Sequence, residues 1–238
     1  MRVSIIVPVY NGSEYLTEQL ESIVAQLRAG DELIILDDAS TDDSYVIAKN
    51  ILMPGVKLFR NDENLGLTRT INKLMRYANN EVIVFSDQDD RWIDGRLDRL
   101  REKMFIYDLV IQNAYVMDKN LQEILYERFD RIPPSNNFLL NLIKCRVLGC
   151  TFAFSRKKIG NLFEIPGRLA HDHYILLFFL MKNFSIYYDQ YCGLYHRRHS
   201  NNTSKDLFSD KRFKDYFSIA LDRTSLLSSL IHHVYLEK

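Results

Sequence analysis

Residues Ser86-Asp87-Gln88-Asp89-Asp90 follow directly on the apolar run Val82-Ile83-Val84-Phe85 and put three carboxylates within four positions. Carboxylates crowded in this way repel one another, and a folding domain gains nothing from gathering them at a strand end. A divalent cation removes the repulsion. Hard ions such as Mg2+ and Mn2+ take carboxylate oxygens and keep positions open for substrate phosphates. In an extended segment the i, i+2 spacing of Asp87 and Asp89 sets both carboxylates on one side of the chain. A strand ending in Asp-x-Asp therefore reads as a place where a cation bridges the chain to a diphosphate. The alternative is a solvated acidic turn that caps the next helix.

The elements that must position these residues are legible in the first hundred positions. Val3 to Val9 is a near-continuous apolar run, as in a strand buried on both faces. Glu14 to Leu27 carries Leu16, Leu20, Ile23, Val24 and Leu27 at helical spacing, with Ser13 available as a cap. Strands are expected at Glu32 to Leu36, Val56 to Phe59 and Val82 to Phe85. Helices are expected from Asp42-Asp43 through Lys49 and from Leu67 to Tyr77. Such alternation implies a mostly parallel, Rossmann-like α/β sheet flanked by helices, which binds ligands at the carboxyl ends of its strands. Each strand ends in polar residues: Tyr10-Asn11-Gly12, Asp37-Asp38, Arg60-Asn61-Asp62 and Asp87-Gln88-Asp89. Four polar clusters at one sheet edge converge on one site.

After Asp90 the alternation loosens. Strands are expected at Leu109 to Gln112, Tyr115 to Met117, Val147 to Phe154 and Ser185 to Asp189, with a loop at Arg131 to Asn137. His171 to Asn183 reads as an apolar helix and Asp210 to Leu236 as one or two helices, whose Leu226, Leu230 and Val234 suit a core, a dimer surface or a membrane-contacting edge. The expected organisation is a domain over 1–205, with a nucleotide-binding half at 1–105 and an acceptor half at 106–205, and a C-terminal helical extension at 206–238.

Composition bounds the remaining possibilities. At 238 residues the chain can bury a sizeable core, and 31 basic against 31 acidic residues point to no nucleic-acid partner. Three cysteines (Cys145, Cys150, Cys192) cannot all pair, which fits a reduced, cytoplasmic compartment. The start of the chain has no signal-peptide layout. The longest apolar stretch, Tyr174 to Met181, is far short of the ~20 residues that span a bilayer. From Arg197 onward eight Lys/Arg face five Asp/Glu, a mild excess that allows peripheral membrane contact.

The series Val7-Pro8-Val9-Tyr10-Asn11, Asp37-Asp38-Ala39-Ser40-Thr41-Asp42, Asn61 to Gly66 and Ser86 to Asp90 closely resembles the nucleotide-binding half of family 2 inverting glycosyltransferases of GT-A fold. The resemblance runs on through Arg91-Trp92, Gly149-Cys150-Thr151, His171-Asp172 and Arg197-Arg198-His199, to about Asn202. Ser-Asp-Gln-Asp-Asp-x-Trp with the later Gly-Cys-Thr and His-Asp looks most like the rhamnosyltransferase-like subgroup of bacterial surface polysaccharide synthesis. The sequence departs from the family at Ala39, where Gly is commoner, and at His173, where an aromatic is commoner.

The resemblance implies a role for each motif. Tyr10 would stack on a pyrimidine; the alternative is packing on the following helix. Asp38 would accept from the pyrimidine N3–H, which a carboxylate, unable to donate, does for uracil or thymine but not cytosine. Asp37 would orient the loop or reach the ribose, with Pro8, Asn11, Asn64, Gly66 and Gln88 around the nucleotide. A plain turn and helix cap over Asp37 to Asp42 explains Ser40 and Asp42 well, but not two acids directly abutting an apolar strand. Arg69 could reach the base or diphosphate, or be a solvated helix residue. Asp87, Asp89 and His199 would hold Mn2+ or Mg2+, with Asp90 sharing the metal or contacting the sugar. Arg197 and Arg198 suit a diphosphate, since guanidinium forks match phosphate oxygens; a solvated basic loop is the alternative. Asp172 would be the catalytic base, or else a helix-dipole partner. Trp92, Gly149 and Cys150 would line the donor or acceptor side, with core packing the other reading for Trp92. A zinc reading of His171 and His173 is discounted, because i, i+2 residues point to different faces of a helix.

The implied reaction transfers a sugar from a nucleotide-diphosphate donor, dTDP-rhamnose first and UDP-hexose or UDP-N-acetylhexosamine second, to a glycan or a polyprenyl-diphosphate-linked oligosaccharide. Oligomeric state is left open, a homo-oligomer being compatible. Two readings of other classes are a dinucleotide oxidoreductase, which needs more glycines than Gly12 after the first strand, and a non-catalytic sugar-nucleotide-binding partner subunit.

Overall fold

The computed structural model describes residues 1–160, 164–167, 169–199 and 224–232. Strand β1 (Val3–Val9) lies between β2 (Glu32–Asp37) and β4 (Val82–Phe85), with β3 (Val56–Arg60) outside β2, and all of these pairings are parallel. The apolar runs of β1, β2 and β4 are explained by cover on both faces. Alternation decides the face: Ile6, Ile83 and Phe85 join one core cluster, and Val3, Ile5, Val7, Val9, Val82 and Val84 join the other. Helix α1 (Leu16–Val24) packs into the second cluster and α3 (Leu67–Tyr77) into the first, while α2 (Ser44–Asn50) follows β2.

Beyond β4 the sheet becomes mixed. With β5 (Arg91–Trp92), β6 (Leu109–Met117), β7 (Ile124–Glu127), β8 (Phe152–Ser155) and β9 (Ile186–Arg197), the order is β3-β2-β1-β4-β8-β6-β9-β5, and β7 pairs antiparallel with the Tyr115–Met117 end of β6. Strand β8 (Phe152–Ser155) is antiparallel to both β4 and β6 (Leu109–Met117). Strand β9 (Ile186–Arg197) runs parallel to β6 and antiparallel to the two-residue β5 (Arg91–Trp92). The α/β GT-A architecture is therefore present, and one sheet runs through both expected halves.

Several elements differ from expectation for identifiable reasons. The two strands expected at 109–117 are one strand carrying register shifts at Gln112–Asn113 and Asn113–Tyr115. The strand expected over Val147 to Phe154 begins only at Phe152, because Gly149–Thr151 closes a 3-10 turn. Helix α1 starts at Leu16 without a side-chain cap, and Ser13 instead donates its N–H to Asp42 Oδ2 at 3.0 Å. Helix α4 (Arg96–Met104), β7 (Ile124–Glu127), α5 (Arg128–Arg131), α6 (Phe138–Ile143) and α7 (Arg156–Ile159) are additional.

Helix α8 (His171–Met181) is buried on nearly every side, which is why its sequence shows no polar face. Residues 224–232 are helical, and Leu226 and Leu230 enter the core cluster that holds α8. Of the three settings compatible with that apolar face, those two leucines occupy the core. Val234, the boundary before 206 and the remainder of the expected extension lie outside the described residues.

Candidate active site

The β1–β2–β4 register sets the ends of these strands side by side, pairing Val9 with Asp37 and Ile6 with Phe85. The 86–90 loop is fixed from two directions. Gln19 on α1 donates to Ser86 Oγ at 2.5 Å and to the Asp87 carbonyl at 3.0 Å. Gln88 clasps the end of β1, accepting from Tyr10 N at 2.8 Å and donating to Tyr10 O at 3.1 Å. This clasp needs a glycine at 12, since a Cβ there would lie 2.4 Å from the Gln88 amide. Gln88, expected near the nucleotide, spends its amide on the backbone of Tyr10. The Tyr10 ring is left 43% exposed beside it, open for stacking.

Ligand oxygens of Asp87, Asp89 and Asp90 lie within 4.8 Å of one another. Burial, then the charges of Asp90 and Asp89, push the Asp87 carboxyl up to about 8. Asp90 is fully buried; burial alone would raise its carboxyl, but the charge and hydrogen bond of His196 hold it below the ordinary carboxylate range. His196 Nδ1 lies 2.9 Å from Asp90 Oδ1, and Arg197 N donates to the same oxygen at 3.2 Å. Among the described residues, Asp90 Oδ2 is buried without a hydrogen-bond partner. His199 Nε2 lies 2.9 Å from Asp89 Oδ2, and its ring is 4.9 Å from that of Tyr15. These residues fit a hard divalent cation: converging carboxylates, one orphaned buried oxygen and a neighbouring imidazole.

Arg197 has a different place from the diphosphate contact expected of it. It is 3% exposed, donating to Asp89 O at 2.8 Å, Lys119 O at 2.6 Å and Glu18 Oε2 at 2.6 Å, with its guanidinium 4.5 Å from the Tyr15 ring centroid. It is a strut that ties β9 to α1 and the acidic loop. Arg198 N pairs with Met117 O at 3.0 Å, continuing the strand ladder.

At the nucleotide end Asp38 is buried. Its Oδ1 accepts from Asn61 Nδ2 at 2.7 Å and Leu65 N at 2.9 Å, and its Oδ2 from Gly66 N at 2.9 Å. It shapes the 61–66 loop, which Asn64 Oδ1 also tightens by accepting from Gly66 N at 2.9 Å. Asp37 Oδ2 accepts from Ser40 N at 3.2 Å and pairs with Arg60 Nε at 3.1 Å. Asn11 Oδ1 accepts from Thr41 N at 2.8 Å. Ala39 has φ +60, a left-handed conformation that costs an L residue roughly 1–2 kcal/mol and that glycine adopts freely. Pro8 sits within β1 opposite Leu36, and Arg69 is exposed near Gly167.

Asp172 lies in the first turn of α8, accepting from His173 N at 2.7 Å, and its charge acts on Asp87. Gly149 brings this turn close, since a Cβ there would fall 2.4 Å from His171 Nε2 and 3.3 Å from Asp172 Cβ. His173 is buried with Nε2 2.6 Å from Asn141 O, a structural anchor in line with the discounted zinc reading. Trp92 is buried under the Arg96 guanidinium, 4.2 Å from its ring centroid, so core packing is its role here. Arg96 is itself fully buried and donates to Cys150 O at 2.6 Å.

Gln19, Arg96, Arg128 and His196 were not anticipated from sequence. Arg128 has a buried Nε without a hydrogen-bond partner among the described residues, and it feels the charge of Asp172. His196 was visible only as one member of the His-Arg-Arg-His run.

The family profile described as "Glycosyl transferase family 2" matches residues 4–163. The chain is 27% identical over 191 residues to the Escherichia coli UDP-Glc:alpha-D-GlcNAc-diphosphoundecaprenol beta-1,3-glucosyltransferase WfgD, covering 76% of this chain and 70% of that one. A 101-residue stretch is 37% identical to an uncharacterized Mycobacterium tuberculosis protein, covering 42% of this chain but only 32% of that protein. Among solved structures, S. aureus TarS 1-349 in complex with UDP-GlcNAc superposes with a TM-score of 0.69 at 18% identity, over 100% of this chain and 74% of that one. Glucosyl-3-phosphoglycerate synthase from M. tuberculosis, in complex with Mn2+, UDP and glucosyl-3-phosphoglycerate, gives 0.58 at 16% identity, over 96% and 79%.

Proposed function

Since the chain belongs to glycosyl transferase family 2, we propose that it moves a hexose from a UDP-linked donor to a hydroxyl of a lipid-linked saccharide, with inversion at the anomeric carbon. The observation that carries this reading is the cluster of Asp87, Asp89 and Asp90 at the strand ends, with Asp172 within electrostatic reach.

Tyr10 would offer its exposed ring to the base, and the loop that Asp38 shapes would border the nucleotide. Asp87 and Asp89, with Asp90 and His199, would hold Mn2+ or Mg2+, which when bound neutralises charge on the departing diphosphate. Asp172 would take the proton of the acceptor hydroxyl as its oxygen bonds to the anomeric carbon and the bond from that carbon to the phosphate oxygen breaks. That single displacement inverts the carbon and forms no covalent enzyme intermediate. Burial of the 149–151 turn against α8 would hold Asp172 in line.

A UDP-sugar donor is favoured because WfgD is named for UDP-Glc and the TarS structure holds UDP-GlcNAc. The Ser-Asp-Gln-Asp-Asp-x-Trp motif supports dTDP-rhamnose as the second reading. No described helix is long and apolar enough to cross a membrane, so a lipid-linked acceptor would be met at the membrane surface.

Melting the protein with UDP, UDP-Glc, UDP-GlcNAc and dTDP-rhamnose, with and without Mn2+, tests the reading, because a ligand of the folded state raises Tm. A Mn2+-dependent rise with a UDP-sugar is expected, and no rise with any of them would refute it. Asp172→Asn is expected to lose transfer by at least 100-fold, consistent with loss of general base catalysis, while keeping the donor-induced rise. Loss of both together would make Asp172 structural.

A further inference from the structure

Asp90 is the one carboxylate of the acidic cluster that is fully buried. A carboxylate on a loop rotates about its last torsion unless its oxygens are held. Here Oδ1 receives two donors from the end of β9, the His196 ring at 2.9 Å and Arg197 N at 3.2 Å; the Cys150 thiol, within 4.8 Å of the carboxylate and the ring, also bears on Asp90, and Oδ2 is buried with no hydrogen-bond partner among the described residues. The carboxylate only accepts, so His196 Nδ1 carries the proton between them. The imidazole is itself 5% exposed, on a strand paired along most of its length to β6, and has little room to turn.

We propose that His196 is a positioning residue for the cation site: it fixes the plane of the Asp90 carboxylate so that Oδ2 is presented to the ion that Asp87 and Asp89 share. The inference rests on the metal-assisted reading above and extends it from the carboxylates to a residue that holds one of them. Partners of this kind orient a ligand before the ion arrives, and their loss weakens metal affinity by about 10–100-fold. The same bond carries β9 onto the loop, so a purely structural role is the competing account. The two accounts differ in what they move: melting temperature for one, ion affinity at unchanged melting temperature for the other.

The test is Mn2+ binding to the full chain, read by the loss of the free-ion electron paramagnetic resonance signal, with and without UDP. His196→Asn keeps an N–H donor near the place of Nδ1. His196→Gln moves it out towards Nε2, and His196→Ala removes it. Expected is wild-type affinity within about threefold for Asn, and affinity about 10–100-fold weaker for Gln and Ala. Asn and Gln should melt within a few degrees of one another without Mn2+. Equal Mn2+ affinity for Asn and Gln, whatever their melting temperatures, would overturn the positioning role. Failure of the wild-type protein to bind Mn2+ in either condition would overturn the metal-assisted reading and this inference with it.

Discussion

Replacing Gly149 by alanine separates two opposed physical effects. Gly149 does not have a positive φ, so alanine can adopt its backbone conformation. On chain entropy alone the change would stabilise by about 0.4–1 kcal/mol. Space argues the other way: the new Cβ would lie 2.4 Å from His171 Nε2 and 3.2 Å from its Cδ2. An ordinary contact is roughly 3.5–4 Å, so the ring or the turn must move by about 1 Å. The ring is buried and sits 5.6 Å from that of Phe85, which leaves it little room. Overpacking of this kind costs about 1–3 kcal/mol, which outweighs the entropic gain. The net cost is then up to about 2.6 kcal/mol, and at about 2–4 °C per kcal/mol for a domain of this size, Tm should fall by up to about 10 °C. Because Asp172 follows His171 in the same turn, a shift of this size should lower kcat by about 10–100-fold, with donor KM little changed. Calorimetry and initial rates on Gly149→Ala read both quantities. A Tm that rises, or a kcat at wild-type level, would refute the close-approach argument.

Two other changes probe different parts of the molecule. Burial works to raise the Glu32 carboxyl, but bonds from Lys57, Ser4 and Asn79 overcome it and hold it at about 2. A depressed folded-state pKa gives stability that is complete above the unfolded value of about 4.3 and lost as pH falls towards 2, up to about 3 kcal/mol here. The Tm gap between wild type and Glu32→Gln should therefore narrow from pH 6 to pH 3, and parallel curves would count against it. Arg197→Ala leaves the Asp89 and Lys119 carbonyls without this donor and, among the described residues, Glu18 with Arg91 alone, so it should lower Tm by about 4–12 °C, corresponding to roughly 2–3 kcal/mol. An unchanged Tm with weakened UDP binding would return Arg197 to the diphosphate role that its sequence position suggests.

The strand–helix alternation up to Phe85 was legible because β1, β2 and β4 are buried on both faces and each long helix on one, while the edge strand β3 carries only a short apolar alternation. The acidic cluster was legible because crowded like charges need a reason. What stayed hidden depends on partners far away in sequence. Arg197 reads as a phosphate ligand until Glu18, 179 residues away, is found against it. Asp38 reads as a base contact until three donors of the 61–66 loop are seen to occupy it. Helix α4 buries Arg96 and Arg101 among its apolar residues, which breaks the pattern that marks a helix face. A two-residue β5 and a 3-10 turn at 149–151 are too short to carry a period.

The attachment of the end of β9 to the acidic loop has a consequence for synthesis of the chain. The strands and helices through Phe85 leave the ribosome first, and their parallel pairing needs nothing that comes later. His196 and Arg197 follow Asp90 by 106 and 107 residues. At about 5–20 residues per second that is roughly 5–20 s during which the three carboxylates have been made but their ties have not. Until then the acidic loop is held by Gln19 and by the Gln88 clasp, and its ties to β9 form only once that strand has been made.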